Sequence, residues 1–253
     1  MRGRALLFGL NYPGSSAQLN GCVNDVVNMS NYLAVALNVP ITVCTDDSPT
    51  TRSQTTALGI VQNLYELAVQ SYREDLEFAW IHYSGHGSYM ADTSRDEKDG
   101  RDECLVPNDY ATAGLITDDC LNRVFSAFNP KTRVVFVCDA CHSGTVCDVK
   151  YSWESPTKCM VENITCAVRA KVMTLSGCLD DQTSADAYNV MGDSKFSGAL
   201  TACLLKVLQE APQSRTDVFQ VFALLSNKLK VLGFTQRPKL CSTYNLARER
   251  TFF

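Results

Sequence analysis

Short apolar, β-branched runs alternate with segments of helical periodicity along almost the whole chain, and this alternation limits the folds open to it. Strand-length runs occur at ALLFGL (5–10), ITVCTD (41–46), EFAWIHY (77–83), RVVFVCD (133–139) and KVMTLSG (171–177). Between the first two, Val23, Val26, Val27, Tyr32, Leu33 and Leu37 recur at helical spacing, and Ile60, Leu64, Leu67 and Ala68 do the same before the third. After Thr117, a residue suited to capping, Leu121, Val124, Phe125 and Phe128 share one face. FSGALTACLLKVLQE and TDVFQVFALLSNKLKVLG supply two further helices, the second with Thr216 as cap and Gly233 as stop, and PKLCSTY reads as a last short strand. Strands that alternate with helices predict an α/β fold, a mostly parallel central sheet with helices on both faces. Such sheets carry their chemistry outside the carboxyl ends of the strands. Two stretches read as irregular: residues 88–103, and roughly 145–168 around Pro156.

At 253 residues the chain is long enough for a substantial core. MRGRALLFGL carries two arginines before an apolar run, but the run is shorter than a secretory core and meets Asn11-Tyr12-Pro13-Gly14, so it reads as a first strand. No apolar stretch approaches the roughly 18 residues needed to span a bilayer. Among twelve cysteines, Cys44, Cys138, Cys166 and Cys203 sit inside apolar runs, where a free thiol packs as a small hydrophobe. A reducing compartment is expected, hence a cytoplasmic protein, and there the sequon Asn163-Ile164-Thr165 carries no meaning. A net charge of −4 without a basic stripe argues against nucleic acid as a partner and favours cationic substrates or metal ions.

The strand EFAWIHY ends in Ser84-Gly85-His86-Gly87, and RVVFVCD ends in Ala140-Cys141-His142-Ser143-Gly144. Both tips fall on the edge where catalysis is expected. A cysteine nucleophile needs an imidazole near it in space, and neighbouring glycines let backbone N–H groups approach a developing oxyanion. A zinc site is the competing reading, since Cys138, Cys141, His82, His86 and His142 offer suitable spacings. Against it, Cys138 and Asp139 point to opposite faces of a strand, and His82 falls inside one.

HYSGHG followed by DACHSG, with GCVND, DECLVPND and SGCLDDQTSAD elsewhere, resembles the metacaspases, a family of caspase-like cysteine peptidases. The short region between the two halves is similar to type I members. The start of the sequence lacks the proline-rich or zinc-finger-like extension many of them carry, which leaves regulation through such an extension open. The resemblance implies a caspase-like three-layer α/β/α sandwich in one domain, 1–253. A large-subunit-like part would cover about 1–150 and a small-subunit-like part about 165–253.

It further implies Cys141 as nucleophile and His86 as acid/base partner, with the N–H groups of Gly87 and Cys141 as oxyanion donors. His142 is given a structural role. Cys22, Asp25, Ser84 and Asp139 match the family's substrate pocket, whose carboxylates suit arginine or lysine. Without the resemblance, Asp25 reads as an ordinary acid in a first helical turn. Calcium is the implied activator, held by Asp102, Asp118, Asp119 and Asp148, with Asp99 the rival to Asp102; no EF-hand pattern is present. The expected partners are peptide or protein substrates with Arg or Lys at the cleavage site. A catalytically silent relative that binds basic peptides is the alternative. Lys150, Lys158, Arg169 and Lys171 are candidate self-cleavage points and equally candidate solvent-facing charges. A monomer is expected, because the short, proline-led PKLCSTY would make a poor edge for pairing.

Overall fold

In the computed structural model, which describes residues 1–91, 101–140, 147–177, 186–188, 195–210 and 217–253, the alternating runs build a three-layer α/β/α sandwich. Strand β1 (Gly3–Gly9) leads to α1 (Cys22–Ala36) and β2 (Ile41–Thr45). A 3-10 turn at Arg52–Thr55 precedes α2 (Ala57–Arg73) and β3 (Phe78–Ser84). An excursion of β4 (Gly87–Ala91), β5 (Arg101–Leu105), α3 (Tyr110–Ala113) and β6 (Ile116–Thr117) ends in α4 (Asp118–Ser126) and β7 (Arg133–Asp139). Strands β8 (Tyr151–Ser155), β9 (Lys158–Val161), β10 (Lys171–Ser176), β11 (Asp186–Tyr188) and β12 (Phe196–Gly198) follow. The chain closes with α5 (Ala199–Glu210), α6 (Val218–Val231) and β13 (Lys239–Ser242).

Eight strands form the central sheet in the order β2-β1-β3-β7-β10-β13-β8-β9. The first five are parallel and the last three pair antiparallel. The central strand β3 is buried along its whole length because both of its faces are covered. Ala79, Ile81 and Tyr83 pack with Ile60 and Leu64 of α2 and Val124 and Phe125 of α4. Phe78 and Trp80 pack with Met29 and Leu33 of α1, Leu204 of α5 and Leu225 of α6. The period-two alternation of the strand thus divides the core between two helical layers.

Three local expectations are corrected. Both stretches read as irregular contain paired strands: β4 and β5 form a hairpin extended by β6, and β8 and β9 form another that joins the main sheet. The last strand is not an edge. β13 is hydrogen-bonded to β10 on one side and β8 on the other, which Pro238 permits because it precedes the first paired residue. The edge on that side is β9, so the reason given for a monomer does not hold. Helix α6 is capped by Asp217, whose carboxylate accepts the Phe219 and Gln220 N–H groups; Thr216 lies outside the described residues. Gly233 ends that helix at φ +81°, as read from the sequence. Thr117 caps α4 as expected, accepting the Cys120 N–H.

Candidate active site

Parallel strands bring their carboxyl ends to one edge. Gly9 of β1 stands beside Thr45 of β2 and Ser84 of β3, and Ser84 stands beside Asp139 of β7. Gly9 allows α1 to approach, since a Cβ there would lie 2.7 Å from the Cys22 carbonyl oxygen. That close approach sets the first turn of α1 over the strand tips. Asp25 in this turn is 1% exposed, and its carboxylate turns to the sheet instead of capping its own helix. It accepts the Ser84 hydroxyl at 2.6 Å and the Gly198 N–H at 2.9 and 3.0 Å. Asp139, 2% exposed, accepts the Thr201 N–H at 2.8 Å.

The two acids flank Gly198. A Cβ there would collide with Asp139 Oδ2 and lie 2.7 Å from Asp25 Oδ2. Asp25, Ser84 and Asp139 therefore meet at one place on the carboxyl edge, and Cys22 opens the helix one turn before Asp25, its N–H on Asn11 Oδ1 at 3.0 Å. Two buried carboxylates side by side suit a cation with several N–H groups.

His86 follows β3 after the single residue Gly85 and is half-buried. Its Nε2 lies 2.7 Å from the Ala17 carbonyl oxygen, which can only accept, so Nε2 carries the proton and Nδ1 is left as the basic atom of the neutral ring. The His86 backbone is clamped by two phenols. Its N–H donates to Tyr12 Oη at 2.8 Å, and its carbonyl lies 3.0 Å from the donating Tyr83 hydroxyl. Gly85 is required between them, because a Cβ there would lie 2.8 Å from both phenol oxygens. Gly87 opens β4 opposite Leu105.

On the far side of the β4–β5 hairpin, Asp102 and Asp118 are buried and Asp148 is half-buried. The Asp118 carboxylate accepts the Glu103 and Asp119 N–H groups at 2.9 and 2.8 Å. Burial nevertheless pushes its pKa up to about 7, and the charges of Asp102 and Asp148 add to the rise. Asp148, at φ +43°, is held by the Asn163 side-chain amide on its carboxylate and by Asn122 on its carbonyl. Asp119 instead turns outward to Arg123 at 3.4 Å. Among the described residues no three His, Cys, Asp or Glu side chains stand together as a metal cage. The zinc reading also loses its strand residues: His82 faces α5 through Thr201, whereas Cys138 belongs to the core on the opposite face of the sheet.

Cys141 and His142, together with Asp99, lie outside the described residues. The sequence reading missed Tyr12, Ala17, Asp46, Gly198 and Thr201. Of these, only Asp46 gave a signal, an acid that ends an apolar strand as Asp139 does.

With the strand tips, the paired acids and the oriented imidazole in place, comparison with known proteins decides the family. Residues 3–150 match the metacaspase, peptidase C14 domain. The chain belongs to the metacaspases. It is accordingly a cysteine peptidase, a hydrolase. Metacaspase-1B of Neurospora crassa is 30% identical over 97% of this chain and 67% of its own length. Metacaspase-1 of Scheffersomyces stipitis is 32% identical over 95% of this chain and 71% of its own length. The chain thus spans about two thirds of the length of the metacaspases it matches. The fold is also similar to that of protein GSU0716 from Geobacter sulfurreducens, with a TM-score of 0.65 at 24% identity over 96% of this chain and 93% of that one.

Proposed function

We propose that this metacaspase is a calcium-activated endopeptidase that cuts after arginine or lysine through Cys141 and His86. The observation that carries the specificity is the pair of buried carboxylates, Asp25 and Asp139, on either side of Gly198. A guanidinium offers planar, bidentate donors to such a pair, and an ammonium can reach it as a point charge, whereas an acidic side chain would be repelled.

The Cys141 sulfur, as thiolate, attacks the scissile carbonyl carbon, and the resulting oxyanion is held by the N–H groups of Gly87 and Cys141. His86 donates a proton to the leaving amine as the C–N bond breaks, leaving a thioester. Water then adds, His86 takes its proton, and the acid product and thiolate are released. The Ala17 carbonyl fixes the imidazole orientation this exchange requires.

Asp118 would lead the site for a hard divalent cation, because burial, with the charges of Asp102 and Asp148 added, disfavours its ionised form, and the three acids would have to draw closer together to share the ion. Calcium bound there would supply the charge that lets Asp118 ionise beside its neighbours. Asp119 would have to leave Arg123 to join them. The substrates are peptides or proteins with an exposed Arg or Lys, and the protein's location is cytoplasmic. No described helix is long and apolar enough to cross a membrane.

Replacing Cys141 with alanine tests the nucleophile. Turnover should fall below detection, while an arginine peptide still binds within about threefold of its original affinity. Cleavage that persists in Cys141→Ala would refute the assignment, and peptide binding without cleavage in the unaltered protein would favour the silent relative.

A further inference from the structure

We propose that Tyr12 is a positioning residue for His86, and that Asp46 at the tip of β2 locks Tyr12 in place. The inference rests on the assignment of His86 as acid/base group. Tyr12 is 3% exposed, and its ring lies 4.9 Å from the imidazole, tilted by 37°. The same side chain accepts the His86 N–H at 2.8 Å and donates to the Val106 carbonyl at 2.7 Å. One phenol therefore holds the histidine by its backbone and bounds one side of its ring.

The phenol is held in turn. Tyr12 has φ +50°, a conformation a bulky side chain adopts only under constraint. The constraint is Asp46, itself fully buried. Its two oxygens accept the Asn11 N–H at 2.9 Å and the Tyr12 N–H at 2.6 Å. A carboxylate suits this role because it offers two acceptors and no donor.

The pinned turn begins the loop that carries Ala17. Its geometry is tightened by the Ser15 hydroxyl, which donates to the Tyr12 carbonyl at 2.9 Å and accepts the Ala17 N–H at 3.1 Å. The Ala17 carbonyl is the Nε2 partner of His86. Asp46 thus fixes both the backbone clamp and the ring orienter without touching the histidine. Errors of an ångström in a proton-transfer group cost about two orders of magnitude in rate, so a clamp of this kind acts on kcat.

The test is Tyr12→Phe, which keeps the ring but removes the acceptor for the His86 N–H. Two readouts are taken per folded molecule. One is the rate of Cys141 alkylation by iodoacetamide near neutral pH, measured by peptide mass with the exposed Cys159 as internal reference. The other is kcat and KM on a peptide the unaltered protein cleaves. The expected result is at least a tenfold loss in kcat and in Cys141 alkylation, with KM within threefold and Cys159 unchanged. If Tyr12→Phe does not fold at the assay temperature, Asp46→Asn, which leaves the phenol intact, carries the same expectation.

Alkylation and kcat within twofold of the unaltered protein would overturn the proposal. His86→Ala separates the two levels. Loss there but not in Tyr12→Phe removes the positioning role alone, and no loss in either removes the His86 assignment and the proposal with it. The alkylation readout needs neither calcium nor a basic peptide, so an error in the specificity reading leaves it intact.

Discussion

Gly198 stands where two buried acids meet, and even a methyl group there would take the space between them. Alanine at this position must push Asp25 or Asp139 aside, which costs about 1–3 kcal/mol as overpacking and removes the room a guanidinium would occupy. Gly198→Ala should therefore lower the denaturation midpoint and cut kcat/KM on an arginine peptide at least tenfold. Steady-state kinetics beside a denaturant titration would check both. That Asp25 and Asp139 belong together was legible through the motifs GCVND and DACHSG. Gly198 was not, because in the sequence it only leads into the helical run ALTACLL. Tyr12 and Asp46 escaped for a related reason: each acts through a neighbour's backbone N–H, and no side-chain pattern marks which amides will point where.

At the scale of elements, His82 ties β3 to α5. It is fully buried, its Nε2 lies 3.2 Å from Thr201 Oγ1, and among the described residues Nδ1 has no hydrogen-bond partner. Burial pushes its pKa down to about 3, so the folded protein keeps the ring neutral where an unfolded chain would protonate it. Its contribution to stability is then complete above the ordinary value of about 6.5 and lost as pH falls from there toward 3, by about 1.4 kcal/mol per pH unit. His82→Gln should remove this slope. Between pH 6.5 and 5 the variant should lose about 1–2 kcal/mol less than the unaltered protein, as read by denaturant midpoints at each pH. Because Thr201 also donates its N–H to Asp139, this contact supports the acidic pocket from the helix side. The strands and helices around it were readable from apolar periodicity, for which β3 gives the strongest case. The β8–β9 hairpin was not, since β9 is exposed on every residue and Pro156 interrupts the run, leaving no buried face to set a period. The interior place of β13 was equally hidden, because a sequence shows that a strand forms but not which neighbours it will have.

For the molecule as a whole, the parallel order β2-β1-β3-β7-β10 brings Asp46, Ser84 and Asp139 to one edge, and α1 lowers Asp25 onto it. The fold class followed from alternation alone, and the place to look for the paired acids from the rule that such sheets use their carboxyl edge. The motif resemblance supplied roles for residues that pattern could not rank, such as Cys141 among twelve cysteines. The most direct measurement is cleavage of fluorogenic peptides ending in arginine, lysine or aspartate, each with and without millimolar calcium, beside the Cys141→Ala control. The account predicts calcium-dependent cleavage after arginine and lysine only, absent from the control. Cleavage after aspartate, or equal rates after acidic and basic residues, would contradict the reading of the paired carboxylates as the substrate pocket.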